Sequence, residues 1–209
     1  MGIRISKRKR IAAAYSLAMT FKSQIFRPMK HFYGMMDIYS EKLFKEKKHM
    51  LTKEQFVGIS EKYIDSVFRV ALNYTKNPSD AQDITRTVYL RLLQQGKDFA
   101  SEEHGKRWLL KVAVNECRKH FRSPWRKMES FEAYAQQLTF PSAQERELFY
   151  MVMELPEKNR LALYLYYYET YSTEEIAHIM GIPVGTVYSH LSRGRDLLRQ
   201  QLVEGEEYV

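Results

Sequence analysis

The stretch Tyr171 to Leu202, YSTEEIAHIMGIPVGTVYSHLSRGRDLLRQQL, leaves the fewest folds open. Ser172 stands where it can cap a helix, and Glu175, three residues on, completes a capping box that satisfies two orphan amides reciprocally. Ile176, Ala177, Ile179 and Met180 follow at helical spacing. Gly181 then supplies a positive-φ residue that ends a helix with no Cβ penalty, and Pro183 cannot extend that helix but suits the start of another. Two short helices with a glycine turn between them have the geometry of a helix-turn-helix.

The register within the stretch carries more than the helices do. Ala177 lies four residues before Gly181, where two crossing helices accept only a small side chain, and Val187 lies six after it, turned back into the same core. Val184, Val187, Leu191 and Leu198 form an apolar stripe on the second helix. Thr186, Ser189, His190 and Arg193, at i, i+3, i+4 and i+7, share another face. That face carries donors, acceptors and a cation, the groups that read base edges and phosphates. An ordinary helical hairpin with a polar outer face would be equally amphipathic. Capping box, small residue, glycine and valine falling in one register favour DNA.

A length of 209 residues allows one large or two small domains. Long helical periodicities and few alternating stretches predict an all-α protein. The formal net charge of +8 favours a polyanionic partner, but residues 1–50 hold twelve Lys/Arg against three Asp/Glu, and the remainder carries 21 basic and 22 acidic residues. Local clusters therefore decide where nucleic acid could bind. The one cysteine, Cys117, excludes an internal disulfide and suits a reducing, cytoplasmic setting. No apolar run approaches the roughly 20 residues of a membrane span.

In chain order, the basic run Lys7–Arg10 precedes an apolar segment Ile11–Phe21 of signal-peptide length, without a clear small-x-small cleavage site after it. Residues 1–51 thus admit three readings: a secretory signal, an arm for DNA or a membrane surface, or a poorly ordered extension arising from a start assigned upstream of Met50. From Thr52 a helix is expected to about Thr75, with Phe56, Ile59, Tyr63, Val67, Val70, Ala71 and Tyr74 on one face. Asn77-Pro78-Ser79 breaks it. A second helix, Asp80 to Gln95, turns Ala81, Ile84, Val88 and Leu92 inward and is stopped by Gly96. After a loop through Glu103, a third runs from His104 to about Phe121, with Leu109, Val112, Ala113 and Cys117 or Glu116 opposite Lys111, Asn115, Lys119 and Arg122. Between Lys106 and Lys127 eight Lys/Arg stand against one acid, Glu116, with Phe99, Trp108, Phe121 and Trp125 interleaved. Cations that neutralise phosphates beside aromatics that stack bases are how single strands are held. For Trp108 itself, core packing is the simpler role.

Ser123 to Ser142 lacks periodicity and contains Pro124 and Pro141, as a linker does. Fully extended it reaches at most ~66–72 Å, enough to let two modules occupy separated sites on one duplex. Ala143–Glu154 and Glu157–Tyr168 are two further helices split at Leu155-Pro156, the second rich in Leu161, Leu163, Tyr164, Leu165 and Tyr167. The tyrosine cluster Tyr164, Tyr166, Tyr167 and Tyr168 is expected to support the helix-turn-helix core, and His178 to lie at the surface.

From about Gln55 to Leu202 the chain resembles the sigma-70 family of RNA polymerase sigma factors, in its two-domain, extracytoplasmic-function (ECF) type. DAQDITRTVYLRLL is similar to the family's region 2.2, KRWLLKVAVNECRKHFR to regions 2.3 and 2.4, and LPEKNRLALYLYYYETYSTEEIAHIMGIPVGTVYSHLSRGRDLLRQQL to region 4. The resemblance implies region 2 at 52–122, a flexible linker at 123–142, region 4 at 143–203 and a short tail at 204–209. It implies that core RNA polymerase is met by Asp80, Asp83, Arg86, Tyr89, Leu90 and Arg91. The melted −10 element would be held by Lys106, Arg107, Trp108, Lys111, Asn115, Lys119 and Arg122, and the −35 element read by Thr186, Tyr188, Ser189, His190, Ser192, Arg193 and Arg195. Arg86 and Thr87 stand where the family usually has Gln-Glu, and Tyr188 and His190 replace commonly basic positions. Expected partners are polymerase, promoter DNA and an anti-sigma factor, with no cofactor, metal or small-molecule substrate. The competing reading is a stand-alone helix-turn-helix regulator that binds duplex DNA without polymerase. No glycine-rich phosphate loop, metal-spaced His/Cys set or Ser/His/Asp arrangement points to an enzyme.

Overall fold

The computed structural model describes residues 51–95, 99–122, 135–136, 140 and 142–206. The expectations for the basic extension, the stop at Gly96 and nearly all of the linker fall outside them. The described residues contain seven helices and no strand, and they fall into two compact units, one over residues 51–122 and one from Ala135 onward.

Among the described residues the first unit is a body of three helices. α1 (Lys53–Thr75) starts at Thr52, whose side chain accepts from Gln55 N–H while the Gln55 side chain accepts from Thr52 N–H. Lys76, at φ 53°, closes it in the left-handed region. Burial on α1 is wider than the expected stripe: Ile64, Phe68 and Leu72 join Phe56, Tyr63, Val67, Val70, Ala71 and Tyr74 inside, whereas Ile59 is only half-buried. Two partner helices cover α1 on two sides, which no single-stripe pattern anticipates. Arg69, also inside, is held by Asp65 at 2.8 Å.

α2 (Pro78–Gln95) begins two residues earlier than expected. Pro78 is its first residue, where a missing N–H costs nothing, and the Asn77 side chain accepts from Asp80 N–H at 3.0 Å. Ala81, Ile84, Val88 and Leu92 point inward as expected, with Thr85, Tyr89 and Leu93. α3 (Glu102–Arg122) also starts two residues early, because Ser101 accepts from His104 N–H through its hydroxyl. Its inner face is Leu109, Leu110, Ala113, Val114 and Cys117; Val112 and Glu116 are half-buried on the flank.

The second unit holds α4 (Ala143–Glu154), α5 (Glu157–Tyr167), α6 (Thr173–Met180) and α7 (Val184–Glu206). α5 is the spine, with Leu161 to Leu165 all buried. Buried Arg160 donates to Met153 O at 2.8 Å and to Leu155 O, satisfying carbonyls at the end of α4 that no helical amide reaches. Tyr164 donates to the buried Glu169 carboxylate at 2.6 Å and stacks on Tyr168, the core support expected of that cluster. Among the described residues no helix is long and apolar enough to cross a membrane.

Candidate nucleic-acid interface

α6 and α7 form the helix-turn-helix. The Ser172/Glu175 capping box is present on both sides, and Gly181 sits at φ 59° with Ile182 N–H returning to Ala177 O at 3.1 Å. Pro183 O accepts from Thr186 N–H at 2.9 Å, so the proline opens α7. Ala177, Val187, Leu191 and Leu198 are buried; Val184, expected with them, is half-buried. The stripe is completed by a residue that hydrophobicity does not flag. Gly194 is buried against α5, and a Cβ there would lie 2.6 Å from Leu163 Cδ1.

The seven side chains expected to meet duplex DNA divide into three groups. Tyr188, Ser189, Ser192 and Arg193 are exposed, Tyr188 at 57%. Thr186 and His190 are half-buried on one flank, and His190 Nδ1 lies 2.8 Å from Asn159 Oδ1 on α5. Burial first, then the nearby charges of Lys158 and Arg193, hold the His190 imidazole below its usual range, which favours its neutral form. Arg195 turns to the opposite flank, donates from Nε to Tyr167 Oη at 3.1 Å, and lays its guanidinium over the Tyr166 and Tyr167 rings. Its orientation is set by those rings, at ~0.5–1 kcal/mol for such a contact.

On α3, Trp108, Lys111, Asn115 and Lys119 fall along one outer line at i, i+3, i+7 and i+11. Asn115 and Lys119 are exposed, and Arg107, Trp108 and Lys111 are half-buried. Lys106 is half-buried in the first turns and shares a helical side with Ala113, seven residues on, rather than with this line. Arg122 ends the helix, its side chain outside the described residues. Trp108 tilts against Phe99 with centroids 5.6 Å apart, the packing role expected of it, and Phe99 also presses on Gly105. Glu116, the lone acid of the basic run, pairs with Lys119 at 3.0 Å and with Arg91 of α2 at 2.9 Å.

The surface of α2 is smaller than expected. Tyr89 is fully buried, edge-on to Phe56, and Asp80 is 7% exposed with its carboxylate 3.0 Å from His120 Nε2. These two side chains brace the body and leave Asp83, Arg86, Leu90 and Arg91 at or near the surface, with Arg86 and Asp83 paired at 2.8 Å.

Residues 59–127 match the family model for sigma-70 region 2, and residues 145–198 match that for sigma-70 region 4. The RNA polymerase sigma factor HrpL of Pseudomonas syringae pv. syringae is 30% identical over 139 residues, covering 61% of this chain and 76% of that protein. The chain belongs to the sigma-70 family of RNA polymerase sigma factors. Within that family its relatives include ECF RNA polymerase sigma factor SigW of Bacillus subtilis, 26% identical over 72% of this chain and 90% of SigW. The fold is shared with the sigma factor RpoE solved with the anti-sigma factor NepR from Bartonella quintana, at 19% identity and a TM-score of 0.55, covering 70% of this chain and 96% of that one. The region 2 match spans α1 from Ile59 through α3, and the region 4 match spans α4 through most of α7.

Sequence reasoning missed Asn159 as a partner of the sigma factor's recognition helix, whereas Tyr166 and Tyr167, expected to support the helix-turn-helix, do so through Arg195. Asn159 lies 31 residues from His190, and only the packing of α5 on α7 joins them.

Proposed function

We propose that this ECF sigma factor joins core RNA polymerase, directs it to promoters by reading two DNA elements, and favours strand opening at one of them, without covalent chemistry of its own. Region 2, assigned to 52–122, meets polymerase through Asp83, Arg86, Leu90 and Arg91 of α2. It holds unstacked bases of the −10 element along Lys106, Arg107, Trp108, Lys111, Asn115, Lys119 and Arg122. Region 4, assigned to 143–203 beyond a linker at 123–142, reads the −35 duplex with Thr186, Tyr188, Ser189, His190, Ser192 and Arg193, with Arg195 at the flank. The observation that carries this reading is the pairing, in one chain, of a helix-turn-helix with a separate helical body that bears a cationic line beside aromatics.

Each part acts through a known physical term. A good base contact in the major groove is worth ~1–3 kcal/mol of discrimination, and each base stacked on an aromatic adds ~1–3 kcal/mol to strand capture. Tethering raises the effective concentration of the second unit once the first is bound. Structures of similar fold are solved with the anti-sigma factor NepR and with the cytosolic domain of CnrY, which supports a regulatory partner of that kind here, in the cytoplasm.

Reconstitution with core polymerase and run-off transcription tests the proposal. Promoter-specific transcripts that require the chain are expected. Sequence-specific duplex binding by the purified chain alone, with no effect on polymerase, would favour the stand-alone regulator instead.

A further inference from the structure

Asn159 is 6% exposed and meets His190 where α5 passes alongside α7. The approach depends on Gly194, since a Cβ there would press on Leu163 and stand 3.4 Å from Asn159 Cβ. With Asn159 Oδ1 at 2.8 Å from Nδ1, an oxygen that only accepts, the imidazole proton is on Nδ1. The other ring nitrogen of a neutral imidazole is then an acceptor. His190 lines an open groove that also carries Glu157 and Lys158 from α5 and Arg193 and Asp196 from α7, and no α6 residue lines it. Nε2 has no partner among the described residues.

Only two groups on base edges in the major groove donate: adenine N6–H and cytosine N4–H. Guanine N7 and O6 and thymine O4 accept, so an acceptor nitrogen at the same place rejects them. Resting on the reading of duplex DNA by α7, we propose that Asn159 is a positioning residue that fixes His190 as an acceptor at Nε2, and that His190 thereby selects an adenine or cytosine at one position of the −35 element. A cationic imidazole would do the reverse, donating from Nε2 to guanine. The burial and the Lys158 and Arg193 charges that keep His190 neutral oppose that state; Glu157 and Asp196, of opposite sign, favour it.

The test is selection by the full chain with core polymerase from a promoter library randomised across the upstream element. At pH about 8, well above the ordinary histidine range, wild type enriches adenine or cytosine about five- to tenfold at one position. His190→Ala loses that preference there and keeps the others. Asn159→Asp, whose carboxylate favours imidazolium, shifts the same position toward guanine, an inversion that a merely structural role would not produce. Wild type acidified through the lowered His190 value moves the same way. Identical base profiles for wild type, His190→Ala and Asn159→Asp, with the upstream element still selected, overturn the proposal and leave the sigma assignment intact. No upstream selection by wild type overturns the assignment itself. If Asn159→Asp does not assemble with polymerase, a His190→Ala base profile identical to that of wild type at pH about 8 overturns the proposal.

Discussion

Two glycines in helices show how differently one substitution acts. Gly194→Ala puts a methyl 2.6 Å from Leu163 Cδ1, so α5 and α7 must part or Leu163 must move. A loss of ~1–3 kcal/mol is expected on chemical denaturation, the usual cost of overpacking. Gly58, inside α1, has nothing within 4 Å of its added Cβ. Gly58→Ala should therefore stabilise by ~0.5–1 kcal/mol, the helix penalty of glycine removed. The same measurement separates the two signs. His190 makes a third residue-scale prediction. Its folded pKa lies below the ordinary 6.5, so the unfolded chain binds more protons between the two values, and stability there rises with pH. Acidification from neutral pH should cost stability as it passes 6.5 toward the lowered value. His190→Gln should flatten that part of the wild-type pH–stability curve, and an identical slope in both would contradict it. Neither Gly194 nor the Asn159–His190 bond was legible in the sequence: a missing side chain carries no hydrophobic signal, and a contact between residues far apart in the chain is made by packing alone.

Helices were the legible scale. Both ends of α6 follow from Ser172, Glu175 and Gly181, because a capping box and a left-handed glycine are local chemistry. α2 and α3 each start two residues early for local reasons too: Pro78 is tolerated in a first turn, and Ser101 caps with its hydroxyl. The faces were harder. The family resemblance offered Tyr89 as a surface contact of α2, but α1 covers it, so the buried arc is broader than one stripe. Arg160, which the sequence offers only as a basic residue after Leu-Pro, holds the carbonyl end of α4 instead. Arg160→Met removes those donors and leaves buried carbonyls unpaired, at ~1–3 kcal/mol each. Its melting temperature should drop, whereas exposed Lys158→Met should leave it nearly unchanged.

At the scale of the molecule, the composition pointed to the right class of partner by an uneven route. The excess charge lies in residues 1–50, while the described residues place their cations on particular helix faces. The family was readable because region 4 is compressed into one run of residues whose spacing is dictated by a helix, a turn and a second helix. The α2 surface was less readable, because the same spacing serves core bracing by Asp80 and Tyr89 and surface contact by Asp83 and Arg86. The central claim is that one unit grips intact duplex while the other captures opened strand, both on polymerase. The direct test is footprinting with chemical probing of unpaired thymines on a promoter bound by the chain and core polymerase, comparing Arg193→Ala with a Lys111→Ala, Lys119→Ala double variant. Arg193→Ala should weaken upstream duplex protection about tenfold, while the double variant keeps that protection and loses downstream opening. Wild-type protection and opening in both variants would contradict the account.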